Sequence, residues 1–328
     1  MMKYDVTVLV AVHNASPYLD ECIGSLLGQT MRNIQVVCVD DASTDDSLAI
    51  LNSYRQRDSR VEVIHLDQNV GMAKARNLAL QHAEGTFVTM LDADDWYAAD
   101  AIQQAYDVFC RHEQADCVLF RFVLAYENRY EDFPCRPFDV LTGEDACRLS
   151  LTWQIHGIYM VRTDIHQRFP YDTTSLLYSD ENTARVHFAV SREVRCCEGI
   201  YYYRQHNQSE THRVSVRRFD RLQAKESLMR QLIGLNVQFD AKQILTNHLW
   251  LDMVDLYMFY FVHGRELPAA DRSYGLSELH RVWQTIDRRL LLPQTTRKLG
   301  YRPMPWWWLF RLQEWVYFTL RGLLGKNY

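Results

Sequence analysis

Four short apolar runs, residues 7–12, 34–39, 61–66 and 86–91, recur within the first hundred residues, and stretches with helical period separate each from the next. The first, second and fourth are nearly unbroken in Val, Ile, Leu, Phe and Thr, which suits strands buried on both faces. Strand and helix in repeated short cycles predict an α/β fold: a Rossmann-like, mostly parallel sheet with helices on both faces. In such sheets ligands bind beyond the carboxyl ends of the strands. The polar clusters fall there. His13-Asn14 follows the first run, Asp40-Asp41 the second, Asp67-Gln68-Asn69 the third and Asp92-Ala93-Asp94-Asp95 the fourth.

The fourth cluster is the sharpest chemical signal. Three carboxylates in four positions repel one another unless a cation or solvent relieves them. In an extended segment Asp92 and Asp94 point to one side and Asp95 to the other. Two hard oxygen ligands with the rest of the shell open suit Mg2+ or Mn2+ bridged to a phosphate. A bare D-x-D is weak evidence, because an acidic loop whose Asp95 caps the next helix explains it as well. No G-x-G-x-x-G follows the first run and no G-x-x-x-x-G-K-[ST] occurs. A phosphate must therefore be held by the metal or by residues 69–77, where Gly71 opens a helix carrying Lys74 and Arg76.

Leu91-Asp92-Ala93-Asp94-Asp95-Trp96 resembles the D-x-D-D element of family 2 glycosyltransferases with the GT-A fold, and the resemblance extends as far as the segment 201–209. It implies an inverting transfer of a sugar from a nucleotide sugar, a UDP-sugar first, to a saccharide or lipid-linked saccharide hydroxyl in cell-surface polysaccharide synthesis, with Mg2+ or Mn2+. It carries the nucleotide base onto Asp40, with Val10, Ala11 and Val12 walling the ring and Asn14 among the nucleotide-sugar contacts; capping of the next helix is the competing reading of the Asp40-Asp41 pair. Arg76 falls near the diphosphate or the sugar, Asp92 on the ribose or the cation, and Asp94 on the cation. Ser179-Asp180-Glu181 stands where the family presents Glu-Asp, so the catalytic base is Asp180, with Glu181 as runner-up. Tyr203-Arg204-Gln205-His206 resembles the closing element, in which Arg204 or His206 completes the diphosphate or metal environment and His206 suits a third metal ligand. Trp153 and Gly157 fall on the acceptor side, and residues 125–142 read as an irregular excursion.

The net charge of −5 gives no basic surface for nucleic acid. Eight cysteines contain no C-x-x-C pair, which points to reduced thiols. No charged-then-apolar leader precedes Asp5, so a cytoplasmic protein is expected. The catalytic domain is expected over 1–213, with a nucleotide-sugar half in 1–100 and an acceptor half in 101–213. A helical region follows over 214–328. Within it, residues 306–324 place Leu309, Leu312, Val316, Leu320, Leu323 and Leu324 on one helical face and Arg311, Glu314, Arg321 and Lys326 on the other. The charges favour a helix lying in the membrane interface, on the inner face of the plasma membrane, over one that spans it; docking on the protein's own body or a second subunit competes with this. Two other functions compete with glycosyl transfer. A nucleotidyltransferase would want a Gly-rich basic loop where this chain has His13-Asn14-Ala15-Ser16-Pro17, and a non-catalytic carbohydrate-binding subunit is kept open by Ser179.

Overall fold

The first βαβ cycles set the frame. Strand β1 (Tyr4–Val12) pairs in parallel with β2 (Ile34–Asp41) on one side and β4 (Gly85–Met90) on the other, and β3 (Val61–Leu66) extends the sheet beyond β2. The computed structural model describes residues 3–175, 177–205 and 214–326. Alternation along β1 sends Val6, Val8, Val10 and Val12 into one core cluster. Helices α1 (Leu19–Leu27), α2 (Ser47–Arg57) and α4 (Ala101–Arg111) close that cluster. In α1 the buried residues are Leu19, Cys22, Ile23 and Leu26, the spacing of one helical face. Helix α3 (Met72–Gln81) packs against β1 and β2 with none of its residues in that cluster, which puts helices on both faces.

Beyond β4 the sheet turns mixed. Strand β9 (Tyr159–Arg162) runs antiparallel to both β4 and β6 (Ala115–Tyr126), while β10 (Glu193–Arg204) runs parallel to β6 and carries the two-residue β5 (Trp96–Tyr97) antiparallel at its far side. The order along the sheet is β3-β2-β1-β4-β9-β6-β10-β5. The segment expected to be irregular is partly a hairpin: β7 (Arg129–Asp132) folds back on β6 through Glu127-Asn128, and β8 (Val140–Thr142) pairs with β10. A two-residue turn between strands is enough to form it, and Arg121 fastens it with two hydrogen bonds to Asp132 at 2.7 and 2.8 Å.

The chain divides into two compact units, Met1–Thr173 with Ser179–Asn207, and Thr174–Tyr178 with Gln208–Tyr328. In the first, the short α6 (Thr163–Arg168) follows β9, and α7 (Ser179–Val190) packs against α5 (Gly143–Leu151). The second is helical: α8 (Asp220–Gly234), α9 (Ala241–His263), α10 (Ala269–Thr285) and α12 (Trp307–Leu323), with the short α11 (Pro293–Thr296) between the last two. Its core gathers Phe219, Trp250, Met253, Leu279, Phe310 and Phe318. Among the described residues no helix is long and apolar enough to cross a membrane.

Candidate active site

Asp40 and Asp41 are the last two residues of β2, and both are buried. Neither caps α2, whose N-cap is Asp46. Asp41 instead accepts hydrogen bonds from the backbone N–H groups of Val70 (2.7 Å) and Gly71 (2.8 Å), which ties the loop after β3 to the end of β2. Gly71 needs its freedom here, since its φ of 89° at the start of α3 disfavours any side chain. Asp40 accepts from His65 Nδ1 at 2.8 Å through Oδ2, while Oδ1 has no hydrogen-bond partner. Leaving a buried carboxylate oxygen unmatched costs about 1–3 kcal/mol or more, so the position is suited to a ligand N–H.

The expected wall beneath the base narrows from three residues of β1 to one. Val10 and Val12 are fully buried in the core cluster, so their side chains cannot wall a base; of that segment only Ala11, on the other face, keeps exposed surface. The cause is the period of two, which turns both valines toward α1. Asn14, at φ 53°, accepts from the Thr44 N–H at 2.7 Å, and its own N–H donates to Ser43 Oγ at 3.0 Å. Its side chain holds two strand-end loops together.

The acidic cluster is a turn, not the extended segment expected. β4 ends at Met90, and the Asp95 N–H donates to the Asp92 carbonyl at 3.0 Å, so strict alternation does not apply. Asp95 is fully buried and does not cap α4, which begins at Ala101. It accepts from the Tyr201 hydroxyl at 2.7 Å and from the Arg204 N–H at 2.8 Å. Tyr201 also accepts from the Asp92 N–H at 3.2 Å, so β10 frames the turn.

Asp92 and Asp94 keep partial exposure. Arg76, expected near the diphosphate or sugar, is 1% exposed, ion-paired with Asp92 and seated 5.4 Å from the Tyr171 ring centroid. Its Nε has no partner. Lys74, two residues earlier, is exposed. Asp180 lies in the first turn of α7 and acts on the same group of charges. Burial drives the Asp92 carboxyl upward; Arg76 opposes that, and the charges of Asp94 and Asp180 add to it. Three carboxylates thus share a site with one guanidinium.

Glu181 ion-pairs with Arg185 at 3.2 Å, and that guanidinium lies 5.4 Å from the Trp153 ring centroid. Trp153 itself is 49% exposed. Arg204, expected to complete the diphosphate environment, is engaged otherwise: its Nε donates to the Asp94 carbonyl at 2.7 Å, it pairs with Glu21, and it lies 4.5 Å from the Trp96 ring centroid. It braces the acidic turn, because its own backbone already docks on Asp95. His206 lies outside the described residues. His65, Tyr171, Asp95 and Tyr201 frame the site, roles the sequence alone does not assign to them. For Tyr201 and His65 the signal was their position at strand ends, whereas nothing local marks Tyr171.

The family model for glycosyl transferase family 2 matches residues 7–175, just over half of the chain. The chain belongs to that family. Glycosyltransferase GlyG of Streptococcus pneumoniae is 32% identical over 142 residues, 43% of this chain and 45% of that protein. A poly(ribitol-phosphate) beta-glucosyltransferase of Bacillus spizizenii is 36% identical over 117 residues, 35% of this chain and 18% of that protein. The matches thus span less than half the length of either relative. Among solved structures, S. aureus TarS 1-349 in complex with UDP-GlcNAc superimposes with a TM-score of 0.68 at 19% identity, covering 98% of this chain and 92% of that one. The mannosyltransferase PcManGT of Pyrobaculum calidifontis, in complex with GDP-Man and Mn2+, gives 0.53 at 16% identity, covering 98% and 87%. The shared feature at these identities is the GT-A fold of this family 2 member.

Proposed function

We propose that this family 2 protein is an inverting glycosyltransferase that moves a sugar from a nucleotide sugar, a UDP-sugar first, to the hydroxyl of a saccharide or lipid-linked saccharide, in the building of a cell-surface polysaccharide. The observation that carries the reading is the gathering of Asp92, Asp94, Asp180 and Arg76 at the carboxyl end of β4, where a sheet of this kind takes its ligands. The relatives add support: one is named for glucosyl transfer to poly(ribitol-phosphate), and the two fold neighbours were solved with nucleotide sugars.

Asp40 offers its unmatched Oδ1 to an N–H of the base. Arg76, fixed by Tyr171 and Asp92, contributes positive charge near the diphosphate. Asp180 takes the proton of the acceptor hydroxyl as its oxygen attacks the anomeric carbon, and the nucleoside diphosphate leaves from the opposite face, which inverts the centre. Asp180 is preferred to Glu181 because Glu181 ion-pairs with Arg185 along its own helix.

The donor chemistry suits a divalent ion. Carboxylates outnumber the guanidinium there, with Asp92, Asp94 and Asp180 against Arg76. That fits an ion taking one or two protein oxygens and completing its shell from phosphate and water. Asp94, with Asp92 beside it, would hold Mg2+ or Mn2+, whose chemistry there is to neutralise the charge of the departing nucleoside diphosphate.

Incubation with a panel of nucleotide sugars and Mn2+ tests the reading by its product. Nucleoside diphosphate is expected; pyrophosphate would instead indicate a nucleotidyltransferase, and binding without release a carbohydrate-binding subunit.

A further inference from the structure

Helix α12 is turned inside out. Its inward face buries Phe310 and Phe318, but also Gln313 and Glu314. Its outward face carries Trp308 at 61% exposure, Leu312 at 49%, Trp315 at 57% and Leu323 at 80%. The spacings of 4, 7 and 15 residues from Trp308 keep these side chains on one stripe of a helix. Trp306, at the N-cap, stacks on Trp308 at 6.0 Å between ring centroids. The division expected from the sequence put Glu314 on a solvent face. The structure buries it, because the faces chosen for packing are those of Phe310 and Phe318. Trp307 packs inward on Phe310, but a helix whose only task was to cover its own unit would also bury Trp308 and Trp315 and leave the glutamate in water.

The charge around this stripe names what covers it. From Arg288 to Tyr328 the sequence holds eight basic residues and one acid, Glu314, in a chain of net charge −5. Burial removes that acid from the surface and pushes its carboxyl up to about 8. Arg297, Lys298, Arg302, Arg311 and Lys326 are exposed. Arg311 and Lys326 flank the apolar stripe itself. A two-fold contact between copies through this stripe would set like charges against one another. Tryptophan beside lysine and arginine, around an aliphatic strip, matches instead the layered chemistry of a bilayer surface with anionic head groups.

We propose that α12 lies in the plane of an anionic lipid interface, with Trp306, Trp308 and Trp315 at head-group level, Leu312 and Leu323 in the acyl region, and Arg311 and Lys326 against lipid phosphates. The proposal stands on the helical unit alone and does not require the sugar-transfer reading. Flotation of the full chain with vesicles of phosphatidylcholine, alone or mixed with phosphatidylglycerol, tests it. The chain is expected to float with the anionic vesicles, less with the neutral ones, and less as salt rises. Trp308→Ser with Trp315→Ser should lower vesicle partitioning by at least about tenfold, and Arg311→Glu with Lys326→Glu should lower it further on anionic than on neutral vesicles. These side chains are exposed, so melting curves of the variants should match the parent and separate loss of binding from loss of fold. The proposal is overturned if the parent stays unbound with anionic vesicles, or if the tryptophan variant floats as well as the parent. It is equally overturned if the parent fails to float and dimerises through the same tryptophans, which would make a second copy the occupant.

Discussion

In the turn after β4, Arg76 pairs with Asp92 and Asp95 takes two donors from β10, whereas α12 buries Glu314 with one oxygen unmatched and leaves Trp308 and Trp315 in solvent. Both regions place ionisable groups where water is scarce. The first compensates inside the protein, by pairing and by backbone donors, which suits a site that must hold its shape before a ligand arrives. The second compensates less, with Gln313 donating to one Glu314 oxygen at 3.1 Å and the acid left in its neutral form, and it turns an apolar stripe outward. In the site, the unmatched atoms Asp40 Oδ1 and Arg76 Nε sit within a framework of paired groups, whereas in α12 the unmatched oxygen lies behind a helix whose outward stripe is apolar.

The comparison can be broken most sharply at Asp180. If the site is prepared for proton transfer, Asp180→Asn lowers kcat by about 10²–10⁴ and leaves donor affinity near that of the parent; loss carried by Glu181→Gln instead would move the base by one position. Next comes Arg76→Ala, which strands Asp92 beside two other carboxylates. The expected loss is about 3–5 kcal/mol in urea unfolding, and a loss below about 1 kcal/mol would mean that Asp92 is no more committed to its partner than a surface ion pair. Tyr201→Phe removes the hydroxyl shared by Asp95 and the Asp92 N–H, for about 1–3 kcal/mol by the same measurement.

The smallest effect belongs to α12. The Glu314 carboxyl moves from an ordinary 4.5 to about 8 on folding, chiefly by burial. Its protonated form is the one the fold favours, so its contribution is complete below pH 4.5 and is lost as the pH rises through 8. Glu314→Gln does not titrate. Its Tm should equal that of the parent at pH 4 and exceed it by about 2–4 °C at pH 9, limited because a single helix can detach before the rest unfolds. Equal values at pH 9 would remove the contrast with the acidic turn.

Much of the nucleotide half was legible because its signals are local. The apolar runs, the helix starts and the polar clusters that follow each run are all visible within a dozen residues. The reversal at β9 was not, because a four-residue strand says nothing of the direction of its neighbours. Asp95 illustrates the same limit within the site. Beside Asp92 and Asp94 it looks like one more acid, and only the Tyr201 hydroxyl and the Arg204 N–H, both more than a hundred residues away in the chain, give it a structural role. Val10 and Val12 went wrong for a related reason: the sequence places them at the edge where ligands bind, but not on the face of the strand that stays open.

By itself, the sequence determined the repeating strand and helix units, the edge at which their polar residues collect, and the excess of positive charge in the last forty or so positions. These follow from period, order and composition, which need no partner to be expressed. The tertiary structure alone decided which carboxylates are framework and which remain open to a ligand, and which face of α12 is turned inward. Both depend on contacts between residues far apart in the chain, where the gain from packing Phe310 and Phe318 or from docking β10 on Asp95 outweighs the preference of each residue taken singly.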